Sequence, residues 1–91
     1  MISIVDARTG KLVKVGETVS FPPTFLIDDT RIENSYTLVS VRVGLFSATA
    51  VVSASGIHGH QSVRMLIKWF PRLRYGAKFP VGGLRVAIYP S

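Results

Sequence analysis

Three long stretches of this chain alternate apolar and polar side chains with a period of two, and no window carries the 3.6-residue period of an amphipathic helix. Successive side chains of a strand point to opposite faces, so such alternation is what a half-buried strand requires. In Tyr36–Val43, Thr37, Val39, Val41 and Val43 share one parity, and Tyr36, Leu38, Ser40 and Arg42 the other. In Leu45–Ala54 the parity places Phe46, Ala48, Ala50 and Val52 inward. Gln61–Trp69 sets Val63, Met65, Ile67 and Trp69 against Arg64, Leu66 and Lys68, and Leu84–Tyr89 turns Leu84, Val86 and Ile88 inward. On this reading Phe46→Asp unfolds the protein.

Glycine and proline punctuate the runs. Gly10, Gly16 and Gly44 mark turns or corners. Pro22–Pro23 is expected to stop a sheet ladder, because neither residue donates a backbone hydrogen bond. Residues 28–35 are polar and read as an exposed loop, and Arg72–Gly83 reads as an irregular basic loop. The pattern predicts an all-β fold: a small antiparallel β-barrel or sandwich of about six or seven short strands, with little helix.

The 91 residues fit a single β-rich domain over 1–91. There is no cysteine, so neither a disulfide nor a thiolate zinc site supports the fold. Hydrophobic residues make up 47% of the chain, a heavy load for a small domain with so large a surface-to-volume ratio. Either Ala, Val and Gly inflate that figure inside an ordinary core, or some apolar surface is covered by a second copy or a partner; of the two, a homo-oligomer is the expectation. Leu38, Leu66 and Phe70 are the candidate apolar interface, since their parity turns them away from the core. Met1–Gly10 has no signal-peptide pattern, and no apolar run approaches the roughly 20 residues of a bilayer span. The expectation is a soluble protein without a membrane partner.

Charge is segregated. Residues 1–33 hold four basic side chains against five acidic ones, a sum of −1, whereas residues 34–91 hold seven basic and no acidic side chains, a sum of +7; together they make the net +6. The densest part interleaves Arg64, Lys68, Arg72, Arg74 and Lys78 with Trp69, Phe70, Tyr75 and Phe79. Guanidinium forks grip phosphates and aromatic faces stack on bases, so these five cations are the candidate nucleic-acid contacts. Cations on strand exteriors also keep sheet edges from pairing with other chains, a purely structural use.

Other constellations carry less. His58 and His60 offer two imidazoles where a structural metal site needs about four ligands, so no metal site is expected. Asp28, Asp29 and Glu33 lie in a polar stretch with no histidine partner and read as a turn whose carboxylates keep ordinary pKa values. No serine sits in a nucleophile-elbow frame, and Gly82–Gly83 has no phosphate-loop context. No catalytic residue and no cofactor are expected, and the chain reads as non-enzymatic.

Two resemblances add to this. Val13-Lys14-Val15-Gly16-Glu17-Thr18-Val19 resembles the entry to SH3-like small barrels, including the KOW type. That resemblance implies a barrel whose members bind RNA or protein. Val5–Lys11, Val15–Val19, Tyr36–Leu38, Val43–Ala48 and Val86–Ser91 together resemble small uncharacterised accessory proteins of mycobacteriophages and other actinobacteriophages. It implies a phage protein at work in the host cytoplasm, and it names no site. The expected function is an interaction module that binds a host component, a host protein being the first partner to consider, with nucleic-acid binding as the rival.

Overall fold

The computed structural model describes residues 3–57, 59–68, 76–81 and 84–90. Eight strands carry the described chain: β1 (Ile4–Asp6), β2 (Leu12–Val13), β3 (Thr18–Phe25), β4 (Arg31–Val43), β5 (Ser47–Gly56), β6 (Gly59–Lys68), β7 (Ala77–Val81) and β8 (Leu84–Pro90). They form two four-stranded antiparallel sheets, ordered β2-β1-β8-β7 and β3-β4-β5-β6. The all-β class holds, with one strand more than the upper expectation. The additional strand is β7, inside the stretch read as an irregular loop. It pairs along its whole length with β8, from Ala77 opposite Ile88 to Val81 opposite Leu84. Prolines and basic residues hide that short strand from a periodicity argument.

The second sheet is a simple meander, and the first is assembled from two hairpins distant in sequence. β1 pairs with β8, with Ile4 opposite Pro90 and Asp6 opposite Ile88. Between the sheets lies one core: Ile4, Val13, Phe79, Val81, Val86 and Ile88 from the first, and Phe21, Tyr36, Leu38, Ala50, Val52, Ala54, Met65 and Ile67 from the second. β5 contributes only alanine and valine to it, and these small residues leave room for the large rings opposite. Phe21 and Tyr36 stack with centroids 5.6 Å apart, and Tyr36 meets Phe79 edge-on at 5.4 Å. Edge-on and tilted ring pairs add roughly 0.5–1.5 kcal/mol beyond the area they bury.

Two irregularities reshape the sheet that the alternation predicts. Pro22–Pro23 does not end a strand. β3 runs through it as an edge strand, and the register shifts between Phe21 and Thr24. An edge strand tolerates proline at a bulge because the missing donors need not face a neighbour. Asn34, buried opposite the bulge, donates from Nδ2 to the Pro22 carbonyl at 3.0 Å and to Thr24 Oγ1 at 2.9 Å, which pins the distorted segment. The stretch 31–35, read as loop, is therefore the start of β4. Only Leu26–Thr30 turns, with the Leu26 N–H donating to the Thr30 carbonyl at 2.9 Å and Asp29 in the left-handed region at φ 65°.

The second irregularity falls at Val39. Leu38 faces Val52 and Ser40 faces Val51, so one residue of β4 is extra at this point. A bulge inverts the parity beyond it. Before it Asn34, Tyr36 and Leu38 point inward, and after it Val41 packs against the core. Leu38 is 1% exposed, which overturns its assignment to an interface, and Val39 is exposed. Phe46 is also corrected. It is 53% exposed, because the chain turns at Gly44–Ser47, where the Gly44 N–H donates to the Ser47 carbonyl at 2.7 Å, and β5 begins one residue after Phe46. The remaining parities hold for Ala48, Ala50, Val52, Met65, Ile67, Val86 and Ile88, all buried. Trp69 lies outside the described residues.

Asp6 was not singled out by its sequence position, yet it is fully buried. Its Oδ1 accepts from the Arg8 N–H at 2.8 Å and its Oδ2 accepts from the Tyr36 hydroxyl at 2.6 Å. The second bond ties β1 of one sheet to β4 of the other. Burial, the hydrogen bond to Asp6 and the charge of that carboxylate push the Tyr36 hydroxyl well above the ordinary value of about 10. A raised folded-state value means that the fold favours the neutral hydroxyl. This contribution is complete below pH of about 10 and is lost as pH climbs above that toward the folded-state value. In an alkaline titration a tyrosinate absorbance step should coincide with loss of the sheet signal and be missing from Tyr36→Phe. Ionisation of Tyr36 in a protein that keeps its sheets would contradict the buried pair.

Candidate functional site

The outer face of the second sheet is built by the same alternation that fills the core. β5 turns Ser47, Thr49, Val51, Ser53 and Ser55 outward, between β4 on one side and β6 on the other. The register sets them in rows. Ser20, Ser35, Ser55 and His60 form one row across the four strands, and Thr18, Thr37, Ser53 and Ser62 form the next. Ser40, Val51 and Arg64 follow, then Arg42, Thr49 and Leu66, then Ser47 and Lys68. One half of the face is thus a field of hydroxyls, and the other carries three cations around Leu66.

The hydroxyl half is internally bonded. Thr18 and Thr37 share a hydrogen bond at 2.8 Å between their Oγ1 atoms. His60 Nε2 lies 2.6 Å from Ser53 Oγ, and its Nδ1 lies 3.0 Å from Ser55 Oγ. Both ring nitrogens of His60 are thereby engaged and the ring is held along β5. His58 lies outside the described residues.

The cationic half is open. Arg42, Arg64 and Lys68 are exposed. Among the described residues the one ion pair is Arg31–Glu33, far along β4, and residues 34–91 contain no acidic side chain. Arg64 and Lys68 lie four residues apart on one strand, roughly 13 Å, and Arg42 lies two strands over, roughly 10 Å from Leu66. Exposed positive charges at these spacings sum to a potential that attracts phosphates over a Debye length of about 8–10 Å.

Of the cations singled out by sequence, the fold brings Arg64 and Lys68 together on this face. Lys78 sits on β7 of the other sheet and is exposed on the side opposite the buried Phe79 and Val81. Arg72, Arg74 and Phe70 lie outside the described residues. Phe79, read as part of the aromatic interleaving, belongs to the core instead. Of the candidate apolar contacts, Leu66 is exposed and sits among cations, whereas Leu38 is interior. Arg42 was missed. An unbroken period puts it beside Tyr36 and Leu38, and the Val39 bulge is what turns it outward. Alternation alone turned Leu38 and Arg42 outward together, so no conflict marked the bulge; the burial of Leu38 is what makes a break in the period necessary, since a cation of the same parity would be buried without a partner.

The chain matches no known family model, no curated protein and no solved structure.

Proposed function

We propose that this protein is a non-enzymatic binding module that engages the phosphate backbone of nucleic acid through the outer face of its β3–β6 sheet. The observation that carries the reading is the placement of Arg42, Arg64 and Lys68 on one open face beside rows of serine and threonine hydroxyls, with no acid in residues 34–91. Guanidinium, ammonium and hydroxyl donors supply most protein contacts to phosphate oxygens, and such contacts position a nucleic acid without reading its sequence. The described rows that hold Arg42, Arg64 and Lys68 carry no Phe, Tyr or Trp, so binding there is expected to be electrostatic and nearly indifferent to base composition.

The competing reading, a host protein held by an apolar surface of Leu38, Leu66 and Phe70, keeps only Leu66 among the described residues. The resemblance to actinobacteriophage accessory proteins supports the cytoplasm of an infected bacterium as the place of action, and the KOW-like run at 13–19 supports an SH3-like module with RNA among its ligands.

Binding to a labelled single strand and to duplex DNA should weaken linearly in log affinity against log salt. Three phosphate contacts give a slope of about −2 to −3, at roughly −0.7 to −0.9 per contact. Arg64→Glu with Lys68→Glu should abolish binding and leave the sheet spectrum intact, since both side chains are exposed. Absence of binding at low salt, or unchanged binding in the double variant, would reject the proposal.

A further inference from the structure

The molecule measures 48 × 19 × 17 Å, and β4 alone spans thirteen residues, roughly 40 Å. The β3–β4 turn and the β4–β5 turn therefore occupy opposite poles. At the first pole Phe25, Leu26 and Ile27 are exposed, Ile27 at 106%, in a run of three large apolar residues at the tip of a hairpin. Asp28 and Asp29 follow directly. Asp28 Oδ1 accepts from the Thr30 N–H at 3.1 Å, and hydrogen bonds from the Thr30 side chain and backbone hold its carboxyl below the usual range. With Glu33 paired to Arg31, the tip is apolar and doubly negative on a protein of net charge +6.

The other pole is its complement. Val43 and Leu45 are exposed there, Leu45 at 80%, and Arg42 and Lys68 flank them on the ends of β4 and β6. We propose that the Phe25–Asp29 tip of one copy docks on the Val43–Leu45 corner of the next, so that the protein associates head to tail with itself. A tip cannot reach the corner of its own chain across roughly 40 Å. Two-fold pairing of tips would set Asp28 and Asp29 against their own copies, and pairing of corners would do the same to Arg42 and Lys68. Like charges therefore disfavour both symmetric arrangements, and opposite charges favour the heterologous one. The contact is small, which places it with weak, reversible interfaces. The corner shares Arg42 and Lys68 with the phosphate-binding rows, so nucleic acid should compete with docking, whereas Ile27 and Leu45 themselves lie outside those rows.

Nuclease-treated protein followed by sedimentation should show an average mass that rises with concentration and falls with salt. Ile27→Asp destroys the tip and keeps the corner; Leu45→Asp does the reverse. Each variant alone should remain monomeric at concentrations where the wild type associates and should keep the wild-type sheet spectrum, and Ile27→Asp, at the pole remote from Arg42 and Lys68, should also keep its binding to single-stranded DNA. Mixed in equal amounts, they should form a one-to-one dimer and nothing larger, because one intact tip meets one intact corner and both outer ends are dead. A wild type that stays monomeric at its highest attainable concentration would overturn the proposal. So would single variants that associate like the wild type, or a mixture that stays monomeric. Loss of DNA binding in the wild type bears on the previous section alone.

Discussion

Val52→Asp is expected to leave no folded protein at 25 °C, whereas Phe46→Asp keeps its sheets. Val52 is fully buried at the centre of β5, opposite Leu38 on one side and Val63 on the other, and faces only apolar side chains in the core. An unpaired carboxylate there must stay charged at several kcal/mol or take up a proton, and the valine burial of about 1.5–3 kcal/mol is lost as well. A domain of this size has roughly 5–10 kcal/mol of stability in total, so these losses consume it. Phe46 is more than half exposed at the turn, and its replacement forgoes about 1 kcal/mol of partial burial. Far-ultraviolet circular dichroism with urea titration separates the two. A cooperative native baseline in Val52→Asp, or unfolded Phe46→Asp, would mean that the β4–β5 register is wrong by one residue.

Tyr36→Ala should lower the unfolding free energy by about 3–5 kcal/mol, the range for removing a large buried aromatic side chain. The ring sits between Phe21 and Phe79, so its loss leaves a cavity where the two sheets meet and deletes both ring contacts. It also leaves Asp6 Oδ2 without its hydroxyl donor. Tyr36→Phe isolates the second effect, because the ring contacts survive and only the hydroxyl goes. About 1–3 kcal/mol is expected for an unsatisfied buried polar group. The excess of the alanine change over the phenylalanine change then measures packing. If both variants shift the urea midpoint equally, the rings contribute nothing and the two sheets are not joined at Tyr36.

The same pair shows what a one-dimensional pattern cannot contain. Asp6 follows two apolar residues and precedes a turn, where an aspartate is ordinary. Nothing nearby marks it for burial, because the hydroxyl that receives it comes from thirty residues away on the opposite sheet. Ile67 and Ala50 are the contrary case. Their neighbours alone place them inward, and both are fully buried. Val39 and Arg42 lie between these extremes, since alternation left Arg42 on an outward face with Leu38, and only the burial of Leu38 reveals that the period breaks at Val39.

For the candidate site, the sequence determined that the cations gather in residues 34–91 and that Arg64, Leu66 and Lys68 share one side of a strand. These follow from covalent geometry, because side chains two apart in an extended chain lie on the same face whatever surrounds them. Tertiary structure alone decided that Arg42 joins them, that Lys78 and Phe79 do not, and that an acidic apolar tip and a basic apolar corner stand at opposite poles. Each of those depends on which strands pair and where a residue is squeezed out of register. The energy that decides such matters belongs to contacts between segments far apart in the chain, and local alternation is blind to it.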